Sequence, residues 1–404
     1  MTPVHEISQE AIAEARRAGA AVVKHTPITA SNALSQAAGG TIVLKAENLQ
    51  RTGSFKIRGA MAKLASLGDS VRDGVVAGSA GNHAQAIAFA ASVFGVPSEI
   101  IMPAGASIAK SEATRAYGAK VTLAGESVDM AVIEAKRRAE ATGMHFCSPF
   151  DDVAVIAGQA TLGLELIEDI ADLRRIIVPL GGGGLASGVA IAVKRHDPSV
   201  KVIGVQVASC APYANQPAAA GPVMTLADGI AVKQPGLITR PLIEHWLDDI
   251  VTVDEDDVAD AMVLLMERAK LYVEGGGAVG AAALMTGHVA PARTGVTCIV
   301  LSGGNVDLGV LPALIRRHET RLGRRLIVFV RIADRPGGLA RLLTIFADNG
   351  ANLIEVAHVR DGVHLHVRET GVQVVLEVRD REHAQRVTAA ASAAGYAIDE
   401  AFEQ

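Results

Sequence analysis

The stretch NLQRTGSFKIRGA, residues 48–60, sets a lysine in an odd place. Lys56 follows Gly53, Ser54 and the ring of Phe55, and the pattern predicts that it opens a helix. Read alone, it is a solvated helix-start lysine. An exposed lysine needs neither a flexible bend before it nor a ring beside it. A lysine whose amine must meet a carbonyl group, condense with it and later move a proton has use for both.

A second stretch narrows the chemistry. PLGGGGLASG, residues 179–188, places four glycines between a predicted strand and a predicted helix. Backbone without Cβ atoms approaches an anion closely, and the N–H groups of the helix start point at it. Read locally, the run is a tight turn; in this context it is a phosphate cradle. Gly181, Gly183 and Ala186 match the spacing of a dinucleotide loop, but that reading needs an acid after the next strand, where Gln206 stands. No lysine follows the glycines as a nucleotide P-loop requires. A lone phosphate monoester remains, and pyridoxal phosphate, whose aldehyde condenses with a lysine amine, is the candidate. Phe55 is then placed to cover the face of a planar ring.

Two further strand endings fit the same ligand. In AGSAGNHAQA, residues 77–86, the backbone of Ser79, Ala80 and Gly81 lies at a helix start suited to a carboxylate. Asn82 is placed to bond a ring hydroxyl, and His83 follows as a structural residue or a substrate contact. In LSGGN, residues 301–305, Ser302 is suited to face a ring nitrogen and leave it unprotonated. That makes a weaker electron sink, which suits elimination. Read singly, these are an ordinary helix cap and an ordinary strand-end turn.

The elements that must position these residues are legible as a pattern. From about 40 to 305, near-continuous apolar runs such as TIVLKA, GVVAGS, SEIIMP, AKVTLA, RIIVPL, KVIGVQV and CIVLSGG alternate with Ala-rich stretches. Helices are predicted over 83–94, 127–142, 154–169 and 255–270. The alternation argues for parallel sheets covered by helices on both faces. Three strand ends rich in small residues imply one pocket beyond the carboxyl edge. A basic run, RRHETRLGRR, marks a linker near 320, and beyond it strand, turn, helix and strand patterns outline a βαββαβ domain of about 80 residues, with VHLHV as a further strand.

Bulk properties exclude other classes. The 404 residues are 50% hydrophobic, enough for more than one large core. A net charge of −5 and 3% aromatic residues argue against a nucleic-acid partner. No apolar run is long enough to cross a bilayer. The N-terminal stretch carries Glu6, Glu10 and Glu14 and lacks a signal-peptide core. Cys147, Cys210 and Cys298 are far apart and odd in number, as buried thiols of a reducing compartment are. A soluble, cytoplasmic protein is expected.

In this order, SFKIRGA, SAGNHAQ, GGGGL and LSGGN resemble the threonine/serine dehydratases, supported by KAENLQRTGSFK and ADGIAVKQPG. The resemblance covers about residues 5–320. It implies the two-lobed, tryptophan-synthase-β-like fold type II of pyridoxal phosphate enzymes, with residues 1–320 as catalytic domain and a small lobe at about 50–150. It implies α,β-elimination of L-threonine to 2-oxobutanoate and ammonia, with L-serine as a second substrate, in isoleucine biosynthesis or threonine catabolism. By motif, Lys56 would form the Schiff base and move the Cα proton. Phe55 would pack on the ring and Asn82 bond its hydroxyl. Gly181, Gly182, Gly183, Gly184 and Leu185 would hold the phosphate, Ser302 the ring nitrogen, and Ser79 through His83 the substrate carboxylate.

Serine racemases are similar but carry a serine where Ala80 stands, which opposes racemisation here. Some relatives hold a divalent cation through a glutamate where this chain has Gln206, and a neutral amide is a poorer ligand, so no metal is expected. His364 and His366 read as a solvated strand face. The other readings left open are a serine racemase or L-serine dehydratase, a β-replacement enzyme, and a non-catalytic amino-acid-binding protein.

The segment DRPGGLARLLTIFADNGANL, residues 334–353, resembles an ACT domain, a ferredoxin-like βαββαβ amino-acid sensor, here spanning 325–404. The resemblance implies an effector site at Asp334, Pro336, Gly337 and Gly338, a branched-chain amino acid as effector, and a homo-oligomer, dimer or tetramer.

Overall fold

A computed structural model describes residues 7–214, 223–359, 365–366 and 368–400. The chain divides into two compact units, Met1–Val306 and Asp307–Gln404. The first holds two sheets. Strands β1 (Ile28–Ala30) and β2 (Thr41–Lys45) belong to the larger one; β3 (Val75–Gly78), β4 (Ser98–Met102), β5 (Lys120–Leu123) and β6 (His145–Phe146) make the smaller. The larger sheet is completed by β7 (Leu173–Pro179), β8 (Lys201–Val207), β9 (Asp249–Val253) and β10 (Val296–Val300).

The larger sheet runs β1-β2-β10-β7-β8-β9, parallel throughout except for β1. The smaller runs β5-β4-β3-β6, all parallel. The central strands are buried along nearly their whole length, which is why they read as continuous apolar runs. Ile176, Val178, Val202 and Val300 pack with Val189 and Val193 of the helix Gly184–His196. In the smaller lobe Val75, Ala77, Ile100 and Met102 pack with Ala84, Ile87 and Ala88 of the helix Asn82–Phe94. Because β7 and β10 are adjacent and parallel, the glycine loop and the LSGGN loop leave the same edge side by side.

The predicted helix over 255–270 forms, as an α-helix over Glu255–Leu264. It widens into a π-turn at Leu265–Ala269 and ends at Lys270, whose φ of 61° is left-handed. Among the described residues, no helix is long and apolar enough to cross a membrane. The three cysteines are free and buried.

The second unit is a βαββαβ fold. Its strands β11 (Arg325–Ala333), β12 (Asn352–Val359), β13 (Glu369–Glu377) and β14 (Ile398–Glu400) form an antiparallel sheet in the order β12-β13-β11-β14. One face of β11 and β13 packs Val328, Val330, Val372 and Val374 with Leu342, Phe346 and Val387 of the two helices. The expected strand VHLHV does not form where it is described: Leu365 and His366 lie outside any strand, and His364 is outside the described residues. The division at Val306 also precedes the helix Leu311–Arg321, which the sequence reading assigned to the catalytic part and its linker. That helix opens on LPALI but buries only Leu314, and its second half, RRHETR, is basic and polar, so its pattern reads as linker.

Candidate active site

Lys56 opens the helix Lys56–Ser66. The chain reverses just before it: Thr52 and Gly53 take φ of 62° and 76°, a conformation costly for β-branched Thr52 and easy for Gly53. The LSGGN loop is stitched to this turn. Phe55 N–H donates to Ser302 O at 3.1 Å, and Gly304 N–H donates to Gly53 O at 2.9 Å. The glycine and serine before Lys56 thus let the turn and the strand-end loop lie against each other. Two residues further on, Arg58 anchors the helix in a buried ion cluster. It donates to both Glu47 oxygens at 2.8 Å and to Glu165 Oε1 at 2.7 Å. Lys45 Nζ lies 2.7 Å from Glu165 Oε2. Burial penalises the Arg58 charge, but the two carboxylates outweigh it and hold the guanidinium protonated.

Between β7 and the helix Gly184–His196, Gly183 is the N-cap at φ 96°, and no side chain caps this helix end. Its first N–H groups are left for a ligand. A Cβ on Gly182 would overlap the Phe150 ring. From behind, Thr239 Oγ1 and Tyr213 OH donate to Gly182 O at 2.7 and 3.1 Å. Gln206 Oε1 accepts from the N–H groups of Tyr213 and Ala214 at 3.0 and 3.2 Å, so the amide that stands at the expected cation position ties down the segment behind the cradle.

One cavity gathers Phe55, Lys56, Asn82, Gly181, Gly182, Gly183, Gly184, Leu185 and Ser302, together with Pro149, Phe150 and Glu274. Lys56 Nζ donates to Pro149 O at 2.7 Å and lies 5.2 Å from the centroid of the Phe55 ring. Burial pushes the amine down to about 8, against the pull of the Glu274 charge. Ser79, Ala80, Gly81 and His83 lie outside the cavity lining. The first three precede the helix Asn82–Phe94, which likewise lacks a side-chain cap. His83 turns its ring to Cys147 O, with Nε2 at 2.9 Å. Burial, reinforced by the Lys56 charge, pushes it down to about 3, so the ring is neutral and its Nε2–H donates.

Sequence reasoning missed Glu274 and Asn305. Asn82 Nδ2 donates to Glu274 Oε1 at 2.6 Å, while Asn82 Oδ1 accepts from Asn305 Nδ2 at 2.6 Å. The signals were present: VEGGGAVG is another glycine-rich helix start, and Asn305 closes the LSGGN motif. Neither has meaning until the fold brings it to Asn82.

The arrangement fits pyridoxal phosphate. It offers an amine with a lowered pKa, the Phe55 ring in the same cavity lining, a glycine cradle at an uncapped helix end for the phosphate, and a buried hydroxyl at Ser302. A separate cavity of about 380 Å³ lies in the second unit, lined by Asp334, Gly337, Gly338, His358 and Thr370 among others; Pro336 is outside its lining.

Comparison with known proteins agrees. Residues 20–303 match the profile of pyridoxal-phosphate dependent enzymes, and residues 326–394 match the ACT domain. The chain is 43% identical over 400 residues to an L-threonine ammonia-lyase of Thermotoga maritima, covering 97% of this chain and 99% of that protein. The solved processed form of threonine deaminase isoform 2 from Solanum lycopersicum superposes with a TM-score of 0.69 at 31% identity, over 76% of this chain and 88% of its own. Maize serine racemase superposes with a TM-score of 0.71 at 34% identity, over 77% and 98%. A lysine amine and a glycine cradle in one cavity, on a chain matched over most of its length, have one consistent meaning: this protein belongs to the family of pyridoxal-phosphate dependent enzymes and carries an ACT domain.

Proposed function

We propose that the chain is an L-threonine ammonia-lyase that converts L-threonine to 2-oxobutanoate and ammonia and acts more slowly on L-serine. One observation carries the chemistry: the Lys56 amine, with its lowered pKa, lines a single cavity with the glycine cradle and Ser302. When bound, the cofactor supplies an electron sink that acidifies the substrate Cα–H. Lys56 anchors that group and, as a neutral amine, takes the Cα proton. Its pKa near 8 leaves a usable neutral fraction at neutral pH. The N–H groups of Gly181 through Leu185 hold the phosphate, and Phe55 covers one face of the ring. Asn82 bonds the ring hydroxyl. Ser302 meets the ring nitrogen with a neutral hydroxyl, which limits the sink to what an elimination needs. Backbone from Ser79 to His83 takes the substrate carboxylate at the open helix end. Loss of the β-hydroxyl as water and hydrolysis of the resulting enamine balance as threonine giving oxobutanoate and ammonia. Ala80 offers no hydroxyl on the opposite face, which disfavours racemisation.

The second unit is read as a sensor for an amino-acid effector of the branched-chain class, held in the cavity lined by Asp334, Gly337 and Gly338. Edge strand β12 exposes Leu353, Ile354 and Val356, which supports a homo-oligomer. Free buried thiols suit a cytoplasmic setting.

The test is an assay of 2-oxo acid formed from threonine by the wild type and Lys56→Ala. A loss of about 10²–10⁴-fold or more is expected; undiminished turnover in the variant removes Lys56 from the chemistry. Adding isoleucine or valine to the same assay, with the mass in solution measured alongside, tests the sensor and the oligomer.

A further inference from the structure

Glu274 is the buried carboxyl that the reading above does not use. It is 7% exposed, lines the cavity beside Lys56, and is the N-cap residue of the helix Gly275–Met285. Its side chain does not serve as a cap: no side-chain hydrogen bond closes that helix end. The backbone instead pins the residue, with Glu274 N–H donating to Gly303 O at 3.0 Å. Glycine makes room for the carboxyl, since a Cβ on Gly303 would overlap Glu274 Oε1. The side chain is held by Asn82, which is held by Asn305, which in turn donates to the carbonyl of strained Thr52 at 2.8 Å. A chain of amides therefore runs from the turn before Lys56 to the one carboxyl in the cavity lining.

We propose that Glu274 exchanges a proton with the Lys56 amine, and that the Asn82–Asn305 relay holds it in place to do so. The inference rests on the reading of Lys56 as the proton-moving group. In the step, one N–H bond of the Lys56 ammonium breaks and one O–H bond forms on Glu274. The pair has zero net charge before and after, as an ion pair and as neutral amine and acid. A pocket poor in water penalises each isolated charge, so the neutral pair is accessible.

The surrounding charges agree with this. Burial, followed by the Asp228 carboxylate, pushes Glu274 up to about 7, while the Asn82 hydrogen bond, Lys110 and Lys56 oppose it. Asp228 is mostly exposed and paired with Lys110 at 3.0 Å, so these two largely offset each other. Burial shifts both groups towards their neutral forms, Lys56 downward and Glu274 upward, which is the direction a proton exchange between them requires.

The test compares holoenzymes of wild type, Glu274→Gln and Glu274→Asp. Borohydride trapping with peptide mapping locates the cofactor. A pH titration of its visible absorbance reports the charge environment of the linked nitrogen, and the pH profile of kcat reports the chemistry. The label is expected on residue 56 in all three. In Glu274→Gln the absorbance midpoint falls, because a negative charge that favours the protonated nitrogen is gone. Its kcat falls about 10²-fold or more, and Glu274→Asp recovers part of both. A Gln variant labelled at residue 56 with unchanged midpoint and kcat overturns the proposal and leaves the cofactor reading intact. A wild type with no label at residue 56 overturns both. If Glu274→Gln does not fold, Asn305→Ala replaces it: a smaller shift in the same direction supports the relay, and unchanged values overturn it.

Discussion

Among single residues, burial acts on Lys56 and His83 in the same direction and to different depths. Lys56 donates to Pro149 O, feels the opposing charge of Glu274, and settles near 8. For His83, burial and the Lys56 charge outweigh the Cys147 carbonyl and the Asp152 charge, and it settles near 3. The consequence for His83 is a stability effect with a definite sign. Its folded value lies below the ordinary 6.5, so the unfolded chain binds more protons as the pH drops. Its stabilising contribution is complete above about 6.5 and is lost progressively towards 3. Between pH 7 and pH 5 this one ring costs about 2 kcal/mol. The unfolding free energy of the wild type, from urea titrations at the two pH values, should fall by that amount from pH 7 to pH 5, and that of His83→Gln by less. Equal falls would refute the assignment.

Among the elements, the glycine loop is shaped by what lies behind it. The Phe150 ring and the hydroxyls of Tyr213 and Thr239 press on the cradle from the protein side. Gly182 has no space for a methyl group, because the ring stands where it would sit. Relief in Gly182→Ala must come from moving the loop or the ring, at about 1–3 kcal/mol. The expected result is about 10–100-fold weaker binding of pyridoxal phosphate to apoenzyme, read from the absorbance as cofactor is added. Wild-type affinity would show that the loop yields freely. The helix carrying Lys56 is held differently. Arg58, Glu47, Glu165 and Lys45 tie it to β2 and to the helix Val153–Asp169, so the reactive amine stands on an element fixed by ion pairs below it.

In the molecule as a whole, the pyridoxal-phosphate dependent part and the ACT domain form separate units, each with its own core. The cavity proposed for the effector is bordered by the turn at Gly337 and Gly338. A Cβ on Gly338 would lie 2.7 Å from Ala333 O, so Gly338→Ala must displace this turn. The expected outcome is at least about a tenfold shift in the effector concentration giving half the response in the threonine assay, by the overpacking cost. An unchanged response would place the effector elsewhere. Much of the architecture was legible from local pattern: apolar runs buried on both faces marked the parallel strands, and glycine-rich strand ends marked the cavity. The boundary near 306 was not, because the helix Leu311–Arg321 buries only Leu314 and its second half is basic and polar. Lys56, the four glycines and Ser302 could be found from sequence because each belongs to a short motif whose backbone geometry is local. Glu274 could not, because its partner Asn82 is 192 residues away and a lone glutamate before glycines has no chemistry of its own. Residue order and type were enough to specify the elements, the amine and the cradle. Which carboxyl shares the amine's cavity was settled by folding alone, because a carboxyl acquires its pKa from the atoms that exclude water around it.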